Sequence, residues 1–293
     1  MDMFDTNCLG DLSIKNKCYI TDVSLCELLK EKSQNDKYDQ CLKIVSFLQK
    51  NKGEFCFMPE NEKRFGQFDM AKTDKSRFYN LNKIAENTFV RLGTIYFNTI
   101  LIIALIIIFK KNKTEIVGDN LLIKNRVDND TFLMSRAIKE FYEKNIYPNR
   151  RHLLLPFYKM KQEKTMDDLG VHTLNVLFDS YNKHVSDNNL KNMIHISKIN
   201  QNELLKEYVG KVDETFIRKI MESHFDFAVP GDKTYEIMIP YLLRVFTISG
   251  KFEFNDVGDY INVFAAKSLN CKLVTRERWI LNNFPETAIK PMF

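Results

Sequence analysis

Met1-Asp2-Met3-Phe4-Asp5-Thr6-Asn7 and, more than two hundred residues on, Lys272-Leu273-Val274-Thr275-Arg276-Glu277 have the same form: a short apolar run that ends on an acid or a hydroxyl. Each run reads as a strand, with Asp5 and Glu277 following its carboxyl end. Such ends open into the crevice where ligands sit in an open parallel sheet. Between them, Asn255-Asp256-Val257-Gly258-Asp259-Tyr260 begins an amphipathic helix with two carboxylates three residues apart in its first turns, a place the helix dipole favours for negative charge.

Outward from Asp5, strands and helices alternate. Met1 to Phe4 reads as a strand, Cys8 to Ile14 as a short helix and Cys18 to Ile20 as a second strand. Thr21 or Asp22 then caps a helix through Lys32, with Leu25, Leu28 and Leu29 on one face. Tyr38 to Lys50 is a further helix, and Glu54 to Met58 a third strand ended by Pro59. At the other terminus Asn255 caps a helix with Tyr260, Ile261, Phe264, Ala265 and Leu269 inward. Strand Lys272 to Thr275, a short helix from Glu277 to Asn282 and a last strand near Thr287 to Ile289 follow it. Alternation of this kind implies a parallel sheet with covering helices. Residues 1–62 and 250–293 are therefore expected to complete one α/β domain.

Residues 63–249 read as an all-helical insertion: Asp74 to Lys113, Asp130 to Lys144, Thr165 to His184, Asn200 to Val209, Asp213 to Phe225 and Lys233 to Ile248, broken at Pro148, Pro156, Pro230 and Gly231. Leu92 to Phe109 is almost wholly apolar, about the length at which a membrane span is considered. A span would strand Asp5 and Asp259 on opposite sides of a bilayer, so a helix buried by its neighbours is expected instead, and a membrane is not.

The 293 residues carry 44% hydrophobic and 28% charged side chains, enough for a large core and too apolar for disorder, with a net charge of +5 that suits a polyanionic partner. Six cysteines lack Cys-x-x-Cys pairing and a His at zinc-ligand spacing, which argues for reduced core thiols. No basic, apolar leader opens the chain, so a reducing cytoplasm is the expected compartment.

Several carboxylates gathered in one crevice repel one another unless a cation neutralises them, and oxygen donors select Mg²⁺ or Mn²⁺. Glu27, on the helix after the second strand, points toward the first and joins Asp5, Asp256, Asp259 and Glu277 as a candidate. Arg276 and Arg278 flank Glu277 and either clamp a phosphate or pair with nearby acids. Arg150 and Arg151, beside Tyr147 and Tyr158, either hold an RNA backbone or lie on a solvated loop.

With these residues in view, the chain resembles the PIN-domain ribonucleases. The likeness lies in Asp5-Thr6-Asn7 after a short strand, in Cys18-Tyr19-Ile20-Thr21 leading to Leu25-Cys26-Glu27-Leu28-Leu29, in Asp259 with Ala265 and Ala266 on its helix, in Leu273-Val274-Thr275-Arg276-Glu277, and in the tail Thr287 to Pro291. It covers roughly residues 1–62 and 250–293. The resemblance implies a Mg²⁺- or Mn²⁺-dependent endoribonuclease in which Asp5, Glu27 and Asp259 are acidic metal ligands. Glu277 stands where an aspartate is usual, and Asp256 competes beside Asp259. Thr6, Asn7 and Thr275 would orient carboxylates or a water. The leading expectation is a divalent-metal ribonuclease acting on single-stranded or structured RNA, with a toxin or defence effector restrained by an inhibitory protein partner as one role open to it, and a homodimer follows from the resemblance alone. Two alternatives stand beside it. One is a non-catalytic scaffold whose helical insertion docks a protein or a membrane. The other is a metal-independent, HEPN-like ribonuclease using Arg218 and His224.

Overall fold

The computed structural model describes residues 2–9, 19–30, 54–56, 74–111, 115–117, 120–122, 163–187, 205–224, 234–249 and 251–291. The expected helices Tyr38 to Lys50 and Asp130 to Lys144 lie outside the described residues. The chain divides into two units, Met1–Leu92 with His152–Gln162 and Val257–Phe293, and Gly93–Arg151 with Glu163–Asp256.

The first unit holds a small all-parallel sheet. Its strands are β1 (Met3–Phe4), β2 (Tyr19–Thr21), β3 (Glu54–Cys56), β6 (Leu273–Val274) and β7 (Ala288–Ile289), in the order β3-β2-β1-β6-β7. From β1 the chain steps outward on one side to β2 and β3. Its far end then adds β6 and β7 on the other side of β1, so the two chain ends do share one sheet. The order reverses between β1 and β6, which makes their carboxyl ends the topological switch point of an α/β sheet. Helices α1 (Thr6–Leu9), α2 (Asp22–Lys30) and α8 (Arg278–Asn283) belong to the same unit.

Burial explains the elements. Met3 of β1, Leu273 of β6 and Ala288 of β7 pack with Val263, Ala266 and Ile280 in one apolar cluster, against which Trp279 and Phe284 lie. Val263 and Ala266 come from α7 (Phe254–Ser268), whose 3.6-residue period turns Val257, Tyr260 and Ile261 inward as well. Leu269, expected inward, is 41% exposed, because it lies past the last helical turn. Thr21, not Asp22, caps α2: its hydroxyl accepts the Ser24 N–H at 3.1 Å.

The second unit is mostly helical. It contains α3 (Asp74–Lys111) from Gly93 onward, α4 (Glu163–Asp187), α5 (Glu214–His224), α6 (Thr234–Arg244) running into a π-helical turn (Val245–Ser249), and the first turn of α7. Every side chain in the apolar stretch of α3 from Ile100 to Phe109 is buried. It is also the one stretch among the described residues long and apolar enough to cross a membrane by length and composition. Asp213 caps α5 through the Phe216 N–H at 2.8 Å. Two departures from the sequence reading stand out. An antiparallel pair, β4 (Glu115–Val117) and β5 (Asn120–Leu122), follows α3. And the helix expected through Val209 gives way after residue 206 to turns, with Gly210 at φ +74°.

Helix α7 starts at Phe254, one residue before the expected cap Asn255. The reason is external: the Asp167 carboxylate of α4 accepts the Phe254 N–H at 2.7 Å and so satisfies a donor that a cap would otherwise take. Asp167 also accepts from the buried Tyr96 hydroxyl at 3.1 Å.

Candidate active site

Register sets the first pair. Phe4 faces Val274 across the sheet, and the Asp5 N–H donates to the Val274 carbonyl at 3.0 Å, so Asp5 and Thr275 leave neighbouring strands side by side. The Thr275 hydroxyl donates to Asp5 Oδ2 at 2.6 Å and accepts the Glu277 N–H at 3.1 Å. Asp5 Oδ1 accepts the Thr6 N–H at 2.8 Å and the Asn262 amide at 3.4 Å. Asp5 is only 3% exposed. Burial pushes its carboxyl above the ordinary value, a shift opposed mainly by the Thr275 hydrogen bond and reinforced by the Glu277 charge.

Helix α1, directly after β1, holds two of the other acids. Asn7 donates its amide to Glu277 Oε1 at 3.1 Å, and its own Oδ1 accepts the Arg276 N–H at 3.2 Å. Glu277 precedes α8 without capping it, leaving its carboxylate for Asn7. The Thr6 hydroxyl donates to Glu27 Oε2. Asp259, 6% exposed, accepts the Trp279 indole N–H at 3.2 Å. Trp279 is half-buried, with its ring 5.1 Å from that of Tyr260. The polar trio Thr6, Asn7 and Thr275 thus orients three acids: Glu27, Glu277 and Asp5.

Asp256 has a partner of its own. Its Oδ1 pairs with Arg244 at 2.8 Å, within the second unit. Burial raises its carboxyl and the Arg244 charge opposes the rise. Arg276 and Arg278 are exposed, and Arg276 Nη1 leans on the Asn7 carbonyl at 3.4 Å. Arg150 and Arg151 lie outside the described residues. Arg218 bonds to Glu214 one turn away on α5 through Nε at 2.7 Å, and the His224 side chain lies outside the described residues. Cys8 and Cys26 are buried and Cys271 is half-buried, all three outside any disulfide; burial pushes the Cys8 thiol up to about 11.

Asn262 and Gly258 stand out only in the fold, and Thr21, expected as a helix cap, has a second partner there. Asn262 and Thr21 are buried hydrogen-bonding residues joined at 2.5 Å. Gly258 faces Glu27: a Cβ there would lie 3.0 Å from Val23 Cγ1 and 3.4 Å from Glu27 Oε1. The one available signal was Asn262 itself, a polar residue three after Asp259 on a face otherwise apolar.

All the candidate donors are carboxylate oxygens, the chemistry a hard divalent cation requires. Among the described residues, no three His, Cys, Asp or Glu side chains stand close enough together to form a ligand group. Comparison with known protein families, with curated proteins and with solved structures finds no match for the chain.

Proposed function

We propose that the chain is a divalent-metal-dependent endoribonuclease of PIN-like architecture, which hydrolyses RNA phosphodiester bonds at the switch point between β1 and β6. One observation carries the reading: Asp5 and Thr275, at the carboxyl ends of adjacent parallel strands, are joined at 2.6 Å, in a fold where that edge is the ligand-binding edge. Glu277 and Glu27 are tied to helix α1, which follows β1, through Asn7 and Thr6.

In this reading Asp5 and Glu277, with Glu27 and Asp259, would hold Mg²⁺ or Mn²⁺. When bound, such an ion supplies charge to the phosphate and leaving oxygen and lowers the pKa of a water. The protein's share is orientation. Thr275 and Thr6 fix the Asp5 carboxylate, Asn7 fixes Glu277, and the exposed Arg276 and Arg278 lie next to Glu277 in the chain, where a phosphate oxygen would be met. A buried acid raised by burial and by a neighbouring acid gains most from a cation beside it. RNA is the substrate, an inhibitory protein and a second copy of the chain are the expected partners, and thiols outside any disulfide suit a reducing cytoplasm.

The test is cleavage of single-stranded RNA that requires Mg²⁺ or Mn²⁺, stops with chelator, and disappears in Asp5→Ala and Asp259→Ala proteins that still fold. Variants that cut like the parent would remove the site. A second reading, the non-catalytic scaffold, is favoured by the hydrogen bonds that already occupy Asp5, Glu27, Asp259 and Glu277 and by their failure to form a closed ligand group. Folded parent protein that neither cleaves RNA nor takes up Mn²⁺ in calorimetry would establish it.

A further inference from the structure

Asn262 is an amide with 1% exposure in the inward face of α7, among Val257, Ile261, Val263 and Ala266. Burial of an amide is unfavourable unless its donors and acceptor are engaged, and two partners engage this one. Its Oδ1 accepts the Thr21 hydroxyl at 2.5 Å, and its Nδ2 donates to Asp5 Oδ1 at 3.4 Å. The Thr21 oxygen already accepts the Ser24 N–H as the cap of α2, so its single proton is left to donate. The acceptors in reach are Asn262 at 2.5 Å and Ser24 Oγ at 3.3 Å, and the shorter contact takes it.

That choice fixes the amide. With its oxygen committed to Thr21, Asn262 must turn its NH₂ toward Asp5. Flipped over, it would set a carbonyl oxygen against a carboxylate. Asp5 is then gripped from three elements: the Thr6 N–H of α1 and Asn262 of α7 on Oδ1, and Thr275 beyond β6 on Oδ2. We propose that Asn262, set by Thr21, is a positioning residue that locks the Asp5 carboxylate in one orientation at the strand end. Its consequence for catalysis rests on the nuclease reading above. The orientation itself does not.

Two measurements on the full chain separate these. In a double-mutant cycle at pH 7, urea unfolding of the parent, Asn262→Leu, Asp5→Asn and the double variant reads the coupling. Asn262→Leu should lower the folding equilibrium constant about fivefold more in the parent than in the Asp5→Asn variant, because a charged acceptor strengthens the bond. Equal effects in both backgrounds would overturn the proposal. In Mn²⁺-supported RNA cleavage, Asn262→Leu and Thr21→Val should lower kcat roughly 10- to 100-fold, as loss of a ligand-orienting partner does. KM should stay within about twofold, and Thr21→Ser, which keeps the hydroxyl, should recover the rate. Parent-like kcat in both Asn262→Leu and Thr21→Val would also overturn it. If Asn262→Leu does not fold, Thr21→Val against Thr21→Ser decides both readouts, with the coupling read in the parent and in the Asp5→Asn variant. Coupling without cleavage by any protein, the parent included, would keep the locked Asp5 and remove the nuclease reading instead.

Discussion

Asp5 and Asp167 are both acids that burial pushes above their ordinary range, and each is held by donors that oppose the shift. Where the folded value is raised, the native state keeps its proton to higher pH than the unfolded chain. The native form then binds more protons across the window above 3.8, and stability falls as pH rises through it. Asp167→Asn keeps an acceptor for the Phe254 N–H and the Tyr96 hydroxyl but cannot ionise. Its unfolding free energy should therefore lose less than the parent's between about pH 4 and neutrality, as read by urea unfolding at several pH values. A parallel pH dependence in both proteins would show that Asp167 titrates as it does in the unfolded chain. At the candidate site, Thr275→Val removes the hydroxyl that holds Asp5 Oδ2 and receives the Glu277 N–H, leaving a buried carboxylate and a half-buried N–H unmatched. A cost of about 1–3 kcal/mol in stability is expected, together with a loss of Mn²⁺-dependent RNA cleavage of about 10- to 100-fold.

Two helix glycines show how elements constrain residues. Gly170 of α4 lies against the ring of Tyr96, and an added Cβ would fall 2.5–2.9 Å from Tyr96 atoms. Alanine is favoured over glycine by about 1 kcal/mol inside a helix. Here the ring cannot yield, because it is buried among Phe97, Phe252 and Phe254 and hydrogen-bonded to Asp167. Gly170→Ala should accordingly destabilise the protein by about 1–3 kcal/mol in chemical unfolding. Gly258 of α7 stands close to Val23 and Glu27 of α2. Gly258→Leu should lower the thermal midpoint and displace Glu27, with loss of cleavage exceeding that of a surface control such as Lys251→Ala. Much at this scale was legible in the sequence. Asp5, Thr275 and Glu277 announce themselves because they end apolar runs, and α7 because its apolar spacing is regular. Asn262 and Gly258 were hidden, since their roles come from what folding places opposite them. The β4–β5 pair was missed for a different reason. Glu-Ile-Val and Asn-Leu-Leu around Gly118-Asp119 do carry a hairpin signal, but it sits just past a strongly apolar helix that dominates the window.

At the level of the molecule, the sequence joins Asp5 and Thr275 only through chain topology. Strands from both ends had to enter one sheet, and they do, with β1 beside β6. The limits of the units were less legible. The boundaries at Leu92/Gly93 and Asp256/Val257 fall inside helices α3 and α7, where no change of composition marks them. For the same reason Asp256 and Asp259, three residues apart, looked equivalent in the sequence. In the fold one is bound to Arg244 and the other to Trp279. The central claim is that acids from both chain ends form a hard-cation site at the β1–β6 edge. A crystal soaked in Mn²⁺ and measured for anomalous scattering tests it most directly. The expected result is a peak within coordination distance of Asp5 and at least one of Glu27, Asp259 and Glu277, absent in Asp5→Asn. An ordered crystal with those carboxylates still on Thr275, Thr6, Trp279 and Asn7 and no anomalous peak beside them would contradict it.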